Sequence, residues 1–208
     1  MNKLKDNFTK IYTENLWGKQ DEETMIKRKN KVFYSGGGTD PDNDKNNIYI
    51  NLIQGYVNRP DINSVIEIGC GDWEVSSRID WSSVNYTGYD VVESLIDYNT
   101  ENFGKDNIKF ICDSEVIKDN NIKADLIIIK DVIQHLPPSF CKDFVKSITT
   151  NFKYNIITND YGPNSEIEFG GYTGNDFSRE PFSMRYKLII QWQQKFIEAG
   201  NKQTIILE

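Results

Sequence analysis

Short apolar runs recur along the middle of the chain and alternate with segments of helical periodicity. The runs lie at 64–68, 86–90, 108–112, 124–129 and 154–158, and each has the length and composition of a β-strand. Strands separated by helical patterns indicate a parallel sheet with right-handed crossover connections.

The predicted helices between the runs lie at Val75 to Ile79, Val92 to Phe103 and Pro138 to Phe152. The run from Leu126 to Ile129 is apolar at every position. A continuous run of this kind is expected of a strand that is buried on both faces of its sheet.

The two ends of the chain predict different structures. Residues 3–30 have helical spacing, in which the lysine-rich part from Glu22 to Lys31 fits a second helix. A further amphipathic helix is predicted at Ile48 to Tyr56. Between them lies the glycine-rich stretch Ser35 to Thr39, which fits either a flexible linker or a lid. Near the other end, residues 182–193 and 202–207 predict an antiparallel pair of strands.

Together these elements predict one α/β domain. We expect a doubly wound, mostly parallel seven-stranded sheet with helices on both faces and an antiparallel last strand. Residues 1–60 should hold the N-terminal helices and the lid loop, and residues 61–208 should form the core. A 208-residue chain is long enough to bury roughly 70% of its unfolded surface as one domain.

Composition and charge narrow the classes of function. The net charge of −7 and a pI near 4.9 argue against a broad nucleic-acid surface, which needs a basic face. The sequence has neither an 18-residue apolar run nor the pattern of a signal peptide. Three scattered cysteines do not form a disulfide framework, so we expect a reducing, cytoplasmic location. The oligomeric state is not predicted.

The most specific motif is Ser64-Val-Ile-Glu-Ile-Gly-Cys-Gly-Asp-Trp73, a buried strand that runs into a glycine turn. A dinucleotide fingerprint needs a third glycine, but that position is Glu74, and no Walker lysine follows. A turn flanked by the acids Glu67, Asp72 and Glu74 suits a cofactor that has no phosphate and a positive centre. S-adenosylmethionine (SAM) fits this description.

Two later acids end the next two predicted strands. Asp90 follows Gly71 by roughly the 20 residues at which a carboxylate binds ribose hydroxyls in nucleotide sites. An ionised carboxylate only accepts hydrogen bonds and can bind both hydroxyls. Asp113 ends the following strand and can accept from the adenine amino group.

In this order, the motifs between Ser64 and Asp160 resemble the class I SAM-dependent methyltransferases, which have a Rossmann-like fold. The resemblance implies that the glycine turn binds the methionine end, that Asp90 binds ribose and that Asp113 lies near adenine. It also identifies the block from Ile127 to Pro137 as the fourth strand and the substrate loop. The expected cofactor-binding residues are Glu67, Gly69, Cys70, Gly71, Trp73, Asp90, Val91, Asp113, Lys130 and Asp131; for Trp73, core packing is the alternative.

A narrower resemblance rests on the segments YSGGGT, IGCGDW, RIDW, DVV, KDVIQHLP and ITND. This set is similar to short methyltransferases of bacteria and large viruses that modify surface glycans, including a domain that caps rhamnose units. It implies O-methylation of a carbohydrate hydroxyl.

Transfer of a methyl group to a hydroxyl also requires a base that removes the proton. His135, the only histidine, follows the fourth strand in a loop that faces the ligand crevice of such sheets. The alternative is a structural histidine that caps the next helix or bonds to Asp131. Asp131 and Asp160 are the other candidate bases.

A magnesium site made by Asp131, Asn159, Asp160 and Glu166 is a further alternative, although nothing in the sequence requires a metal and we predict none. The main prediction is a SAM-dependent O-methyltransferase that acts on a sugar hydroxyl. A nitrogen or carboxyl of a small metabolite is the alternative acceptor, and a non-catalytic cofactor-binding module is the third possibility. The sequence lacks an Asn-Pro-Pro-Tyr motif after the fourth strand, which argues against methylation of nucleic-acid bases.

Overall fold

The computed structural model describes residues 3–29, 31–119, 121–193 and 201–208. Its seven strands form one sheet in the order β3-β2-β1-β4-β5-β7-β6. The strands are β1 (Ser64–Ile68), β2 (Asn85–Asp90), β3 (Ile108–Cys112), β4 (Ala124–Lys130), β5 (Phe152–Asp160), β6 (Tyr186–Gln193) and β7 (Asn201–Leu207). The helices are α1 (Lys3–Thr13), α2 (Glu22–Lys27), α3 (Asp44–Val57), α4 (Glu93–Phe103) and α5 (Pro138–Asn151).

Strands β1 to β5 pair in parallel, and β7 is antiparallel to both β5 and β6. The predicted doubly wound sheet with an antiparallel last strand is therefore confirmed. The sheet separates two apolar cores, one containing α5 and the other containing α3 and part of α4. Successive residues of β4 alternate between these cores, and residues 126–129 are fully buried.

The helix predicted at Val75 to Ile79 is absent. The segment makes one short 3-10 turn at Ser76–Arg78 instead, because its large side chains pack in the core. Trp73 has a φ of +54°, and Trp81 donates its indole N–H to the carbonyl of Ser76. Helix α3, which precedes β1, supplies helical cover for this core.

The N-terminal helical pattern is divided between two helices, with the second beginning at Glu22 as expected. It forms α1 and a separate short α2, which begins where Asp21 accepts a hydrogen bond from Thr24 N at 2.7 Å. No helix within the described ranges combines the length and the apolar character that crossing a membrane requires.

The doubly buried β4 gives a direct test of the fold. Ile128 is fully buried, whereas Ile189 in β6 is 41% exposed. We expect Ile128→Ala to lower the free energy of unfolding by about 2–5 kcal/mol, because it leaves a cavity. Ile189→Ala should change it by about 0.5 kcal/mol or less. Urea unfolding measures both, and equal losses would contradict the assigned burial.

Candidate active site

A cavity of about 350 Å³ lies at the carboxyl ends of the parallel strands, which is the size of a small-molecule site. Glu67, Asp90 and Asp113, from the ends of β1, β2 and β3, all line it. The backbone N–H of Asp113 donates to the carbonyl of Asp90 at 3.0 Å, so these two strand ends are in direct contact. The convergence predicted for the three acids is therefore present.

The turn after β1 needs glycine at two positions. Gly69 and Gly71 have φ values of +70° and +53°, which L-residues with a side chain rarely adopt. A Cβ on Gly69 would lie 2.3 Å from Val132, and one on Gly71 would lie 2.7 Å from Ser35 Oγ. The missing side chains thus let other parts of the protein approach the turn closely.

Asp90 holds this turn in place. Its Oδ2 accepts from Gly71 N at 3.0 Å, and its Oδ1 accepts from Val91 N and Val92 N at 2.8 and 3.1 Å. Burial raises the pKa of the carboxyl against the effect of these three donors. A carboxylate has about four lone-pair positions, so roughly one remains for a ligand, whereas two ribose hydroxyls were expected to bind Asp90.

Glu67 lies in a hydrogen-bonded chain on the cavity wall. It accepts from Ser76 Oγ at 2.8 Å and from Tyr86 OH, and Trp73 Nε1 donates to the same tyrosine oxygen at 2.8 Å. Burial raises the pKa of Glu67 to about 7. The indole of Trp73 packs against Tyr86, Phe103 and Phe110 in the core. Trp73 is thus a core residue, which is the alternative that the sequence left open, and it does not line the cavity.

The two other acids of the turn are paired within the protein. Asp72 forms a buried ion pair with Arg28, and Glu74 accepts from Lys31 Nζ at 2.9 Å. Their charges are therefore balanced by lysine and arginine. The prediction that Asp72 and Glu74 favour a cationic ligand is therefore wrong, because each acid already has a cation within the protein.

His135 is held in one orientation at the other end of the cavity. Its Nδ1 lies 2.8 Å from the carbonyl oxygen of Gly171, and since a carbonyl only accepts, this nitrogen carries the proton. Nε2 is then an acceptor, and it lies 3.4 Å from Gln134 Nε2. Burial lowers the pKa of the imidazole, so the ring is neutral at pH 7. This is the state that a general base requires.

Two lysines balance the carboxylates beside His135. Asp131 accepts from Lys130 Nζ at 2.6 Å and also from Lys202. Burial alone would raise the pKa of Asp131, but these ammonium groups outweigh it and hold the pKa well below its usual range. Asp131 is thus a poor proton acceptor.

Asp160 is 1% exposed and accepts from Tyr172 OH at 3.0 Å, and its other oxygen lies 3.4 Å from Lys202 Nζ. Lys202 was not predicted as a site residue. The only signal was the pairing register of β5 and β7, in which Lys202 stands opposite Asp160, and a register between distant strands is not visible in a sequence.

The four residues considered for magnesium do not assemble. Asn159 accepts from Gln134 N at 3.0 Å and donates to Asn175 Oδ1 at 2.7 Å. Glu166 accepts from both the backbone and the hydroxyl of Ser139 at the start of α5. In the described part of the chain, no group of three or more histidine, cysteine or acidic side chains has the arrangement of a metal site.

Nine of the ten expected cofactor residues line this one cavity, as do all three candidate bases. Trp73 is the exception. The nine are Glu67, Gly69, Cys70, Gly71, Asp90, Val91, Asp113, Lys130 and Asp131.

No protein-family model and no curated protein matches the chain. Solved structures do. One is magnesium protoporphyrin IX methyltransferase (ChlM) from Synechocystis PCC 6803 with bound S-adenosylhomocysteine (SAH), with a TM-score of 0.60 and 12% identity over 98% of this chain and 94% of that one.

Another is the N-methyltransferase NodS from Bradyrhizobium japonicum WM9, with a TM-score of 0.59 and 11% identity over 80% of this chain and 98% of that one. A third is the methyltransferase domain of bacterial CtHen1, with a TM-score of 0.55 and 17% identity over 78% and 98% of the two chains. The chain has the fold of the class I SAM-dependent methyltransferases. At these identities the likeness concerns the fold alone.

The state of His135 can be measured without interference, because it is the chain's only histidine. Long-range ¹H–¹⁵N NMR should show the neutral ring with its proton on Nδ1 and a pKa below that of an unfolded histidine, about 6.5. A pKa at or above that value would contradict the burial of the ring.

The same shift has a consequence for stability. As the pH falls, His135 takes up a proton in the unfolded chain before it does so in the folded protein. The contribution of His135 to the free energy of unfolding is therefore lost as the pH falls from about 6.5 through the lower folded pKa. His135→Asn, which does not titrate, should remove this part of the pH dependence in urea unfolding.

Proposed function

We propose that the protein is a methyltransferase that uses SAM as its cofactor. The observation that carries this proposal is the convergence of Glu67, Asp90 and Asp113 around a glycine-bounded cavity at the strand ends. Carboxylates suit the ammonium, ribose hydroxyls and adenine amine of a ligand that has no phosphate. SAM supplies an already activated methyl group, so the protein's task is alignment and removal of a proton.

The acceptor that the site supports best is a neutral hydroxyl. The two carboxylates next to His135 are matched by two lysines, so this end of the cavity does not favour an anionic or a cationic group. His135 supplies a neutral imidazole whose Nε2 can take the hydroxyl proton.

A sugar is the acceptor class we propose, on a glycan and with rhamnose as the first candidate. The ring of Trp17 lies 5.2 Å from that of His135, and the ring of Tyr172 lies 6.1 Å from it on centroid distances. Aromatic faces next to a base suit the apolar face of a sugar ring. NodS, which has a similar fold, is described as an N-methyltransferase, and a nitrogen acceptor is the competing assignment. Such an acceptor needs no hydroxyl base.

Calorimetry with SAH tests the cofactor assignment. The wild type should bind, and Asp113→Ala should weaken binding about 10- to 100-fold, which corresponds to loss of one hydrogen bond to a charged group. Asp143→Ala, in which an exposed aspartate of α5 is replaced, is the matched control and should bind as the wild type does. Absence of binding by the wild type, or equal binding by all three proteins, rejects the assignment.

Methyl transfer to a panel of methyl glycosides tests the role of His135. We expect His135→Ala to reduce turnover by about 10²- to 10⁴-fold, the usual contribution of a general base, with SAH affinity kept. Near-full turnover would assign the base to Asp160 instead. Transfer to amines but not to glycosides, with a pH–rate profile that has no basic limb, would support the nitrogen acceptor.

A further inference from the structure

Arg28 directly follows α2, a short helix that has no buried residue of its own. Arg28 itself is nevertheless only 1% exposed. Its guanidinium donates to Thr39 Oγ1 at 3.1 Å and to the carbonyl of Phe33 at 3.2 Å. It also lies 4.9 Å from the ring centre of Tyr34. One side chain therefore organises residues 33–40, which we call the cover loop.

The same guanidinium pairs with Asp72, which directly follows the glycine turn. Asp72 makes two more contacts with the cover loop: its Oδ2 accepts from Ser35 N at 2.9 Å, and its backbone N–H donates to Ser35 Oγ at 3.0 Å. Ser35 Oγ also lies 2.8 Å from Tyr12 OH of α1. The cover loop, α1 and the glycine turn are thus joined into one hydrogen-bonded unit.

The cover loop reaches both ends of the cavity. Ser35, Gly36, Gly38 and Thr39 line it. Ser35 lies against Gly71 in the glycine turn, and a Cβ on Gly38 would lie 3.8 Å from Asp131 Oδ2, near the candidate base. A ligand bound between the turn and Asp131 would therefore lie under this loop.

We propose that Arg28 is a positioning residue that holds the cover loop on the cavity through Asp72, so that bound cofactor leaves only after this ion pair opens. The inference rests on the proposed function for the identity of the ligand. Arginine suits the task because its planar fork can serve Thr39, Phe33 and Asp72 at once, whereas a lysine is a single point charge.

The test measures the SAH dissociation rate by stopped-flow displacement and amide hydrogen exchange of residues 33–40. Arg28→Met should raise the dissociation rate at least about tenfold, and should speed exchange of the cover loop while exchange of β4 stays as in the wild type. Arg28→Lys keeps the charge, so its dissociation rate and its loop exchange should lie between those of the wild type and of Arg28→Met. Arg59→Met removes the exposed pair with Asp61, is the matched control, and should leave both quantities unchanged.

A second variant guards against misfolding of the first. Asp72→Asn keeps the shape of the side chain but removes its charge, and should loosen the cover loop as Arg28→Met does. The double variant should then add little, because both changes break one interaction.

Wild-type rates and loop exchange in both single variants would overturn the proposal. If the wild type does not bind SAH, the cofactor assignment fails. The exchange of the cover loop in the free protein still decides the role of Arg28, since it needs no ligand.

Discussion

The carboxylate of Asp90 accepts three backbone hydrogen bonds, and these fix the bend after β1 against the segment that begins α4. This contact determines where the rest of the site can lie. It orients the turn so that Asp72 meets Arg28, and it brings the ends of β1, β2 and β3 to one cavity. Because a carboxylate has few acceptor positions, Asp90 acts first as a structural residue and only then as a ligand contact.

Charge is organised differently at the two ends of the cavity. Near the glycine turn, hydroxyl and amide donors hold Glu67, Asp90 and Asp113, and burial raises the pKa of Glu67 and of Asp90. Near His135, lysines hold Asp131 and Asp160. Because these charges balance, this end of the cavity does not attract a charged acceptor. The neutral imidazole of His135 is the group that can take a proton.

The sequence was sufficient for the sheet because its strands are nearly uniform apolar runs, and the continuous run of β4 correctly predicted burial on both faces. It also identified the acids at strand ends, since the ends of parallel strands meet at one edge. Local patterns left core packing and cofactor contact open for Trp73, and could not show its positive φ. Nor could they show that α3 would supply helical cover next to Val75 to Ile79.

The missed residues share one physical reason. Lys202 pairs with Asp131 and Arg28 pairs with Asp72, and in both pairs the partners are distant along the chain. A buried ion pair of this kind produces no periodic pattern in the sequence around either residue. The same reason explains why Asp72 and Glu74 were assigned to the ligand: an acid beside a glycine turn has the same appearance in a sequence whether its cation is a cofactor or an arginine.

The central claim, that the bend at Gly71 shapes the cofactor site, is tested most directly by SAH affinity in Gly71→Ala and Gly55→Ala. Gly55 lies in α3, where an added Cβ meets nothing within 4 Å, so Gly55→Ala should bind as the wild type does. Gly71→Ala adds a side chain at φ +53° against Ser35, and should weaken binding about 5- to 30-fold, which corresponds to strain of roughly 1–2 kcal/mol. Equal SAH affinity in the two variants would contradict the account.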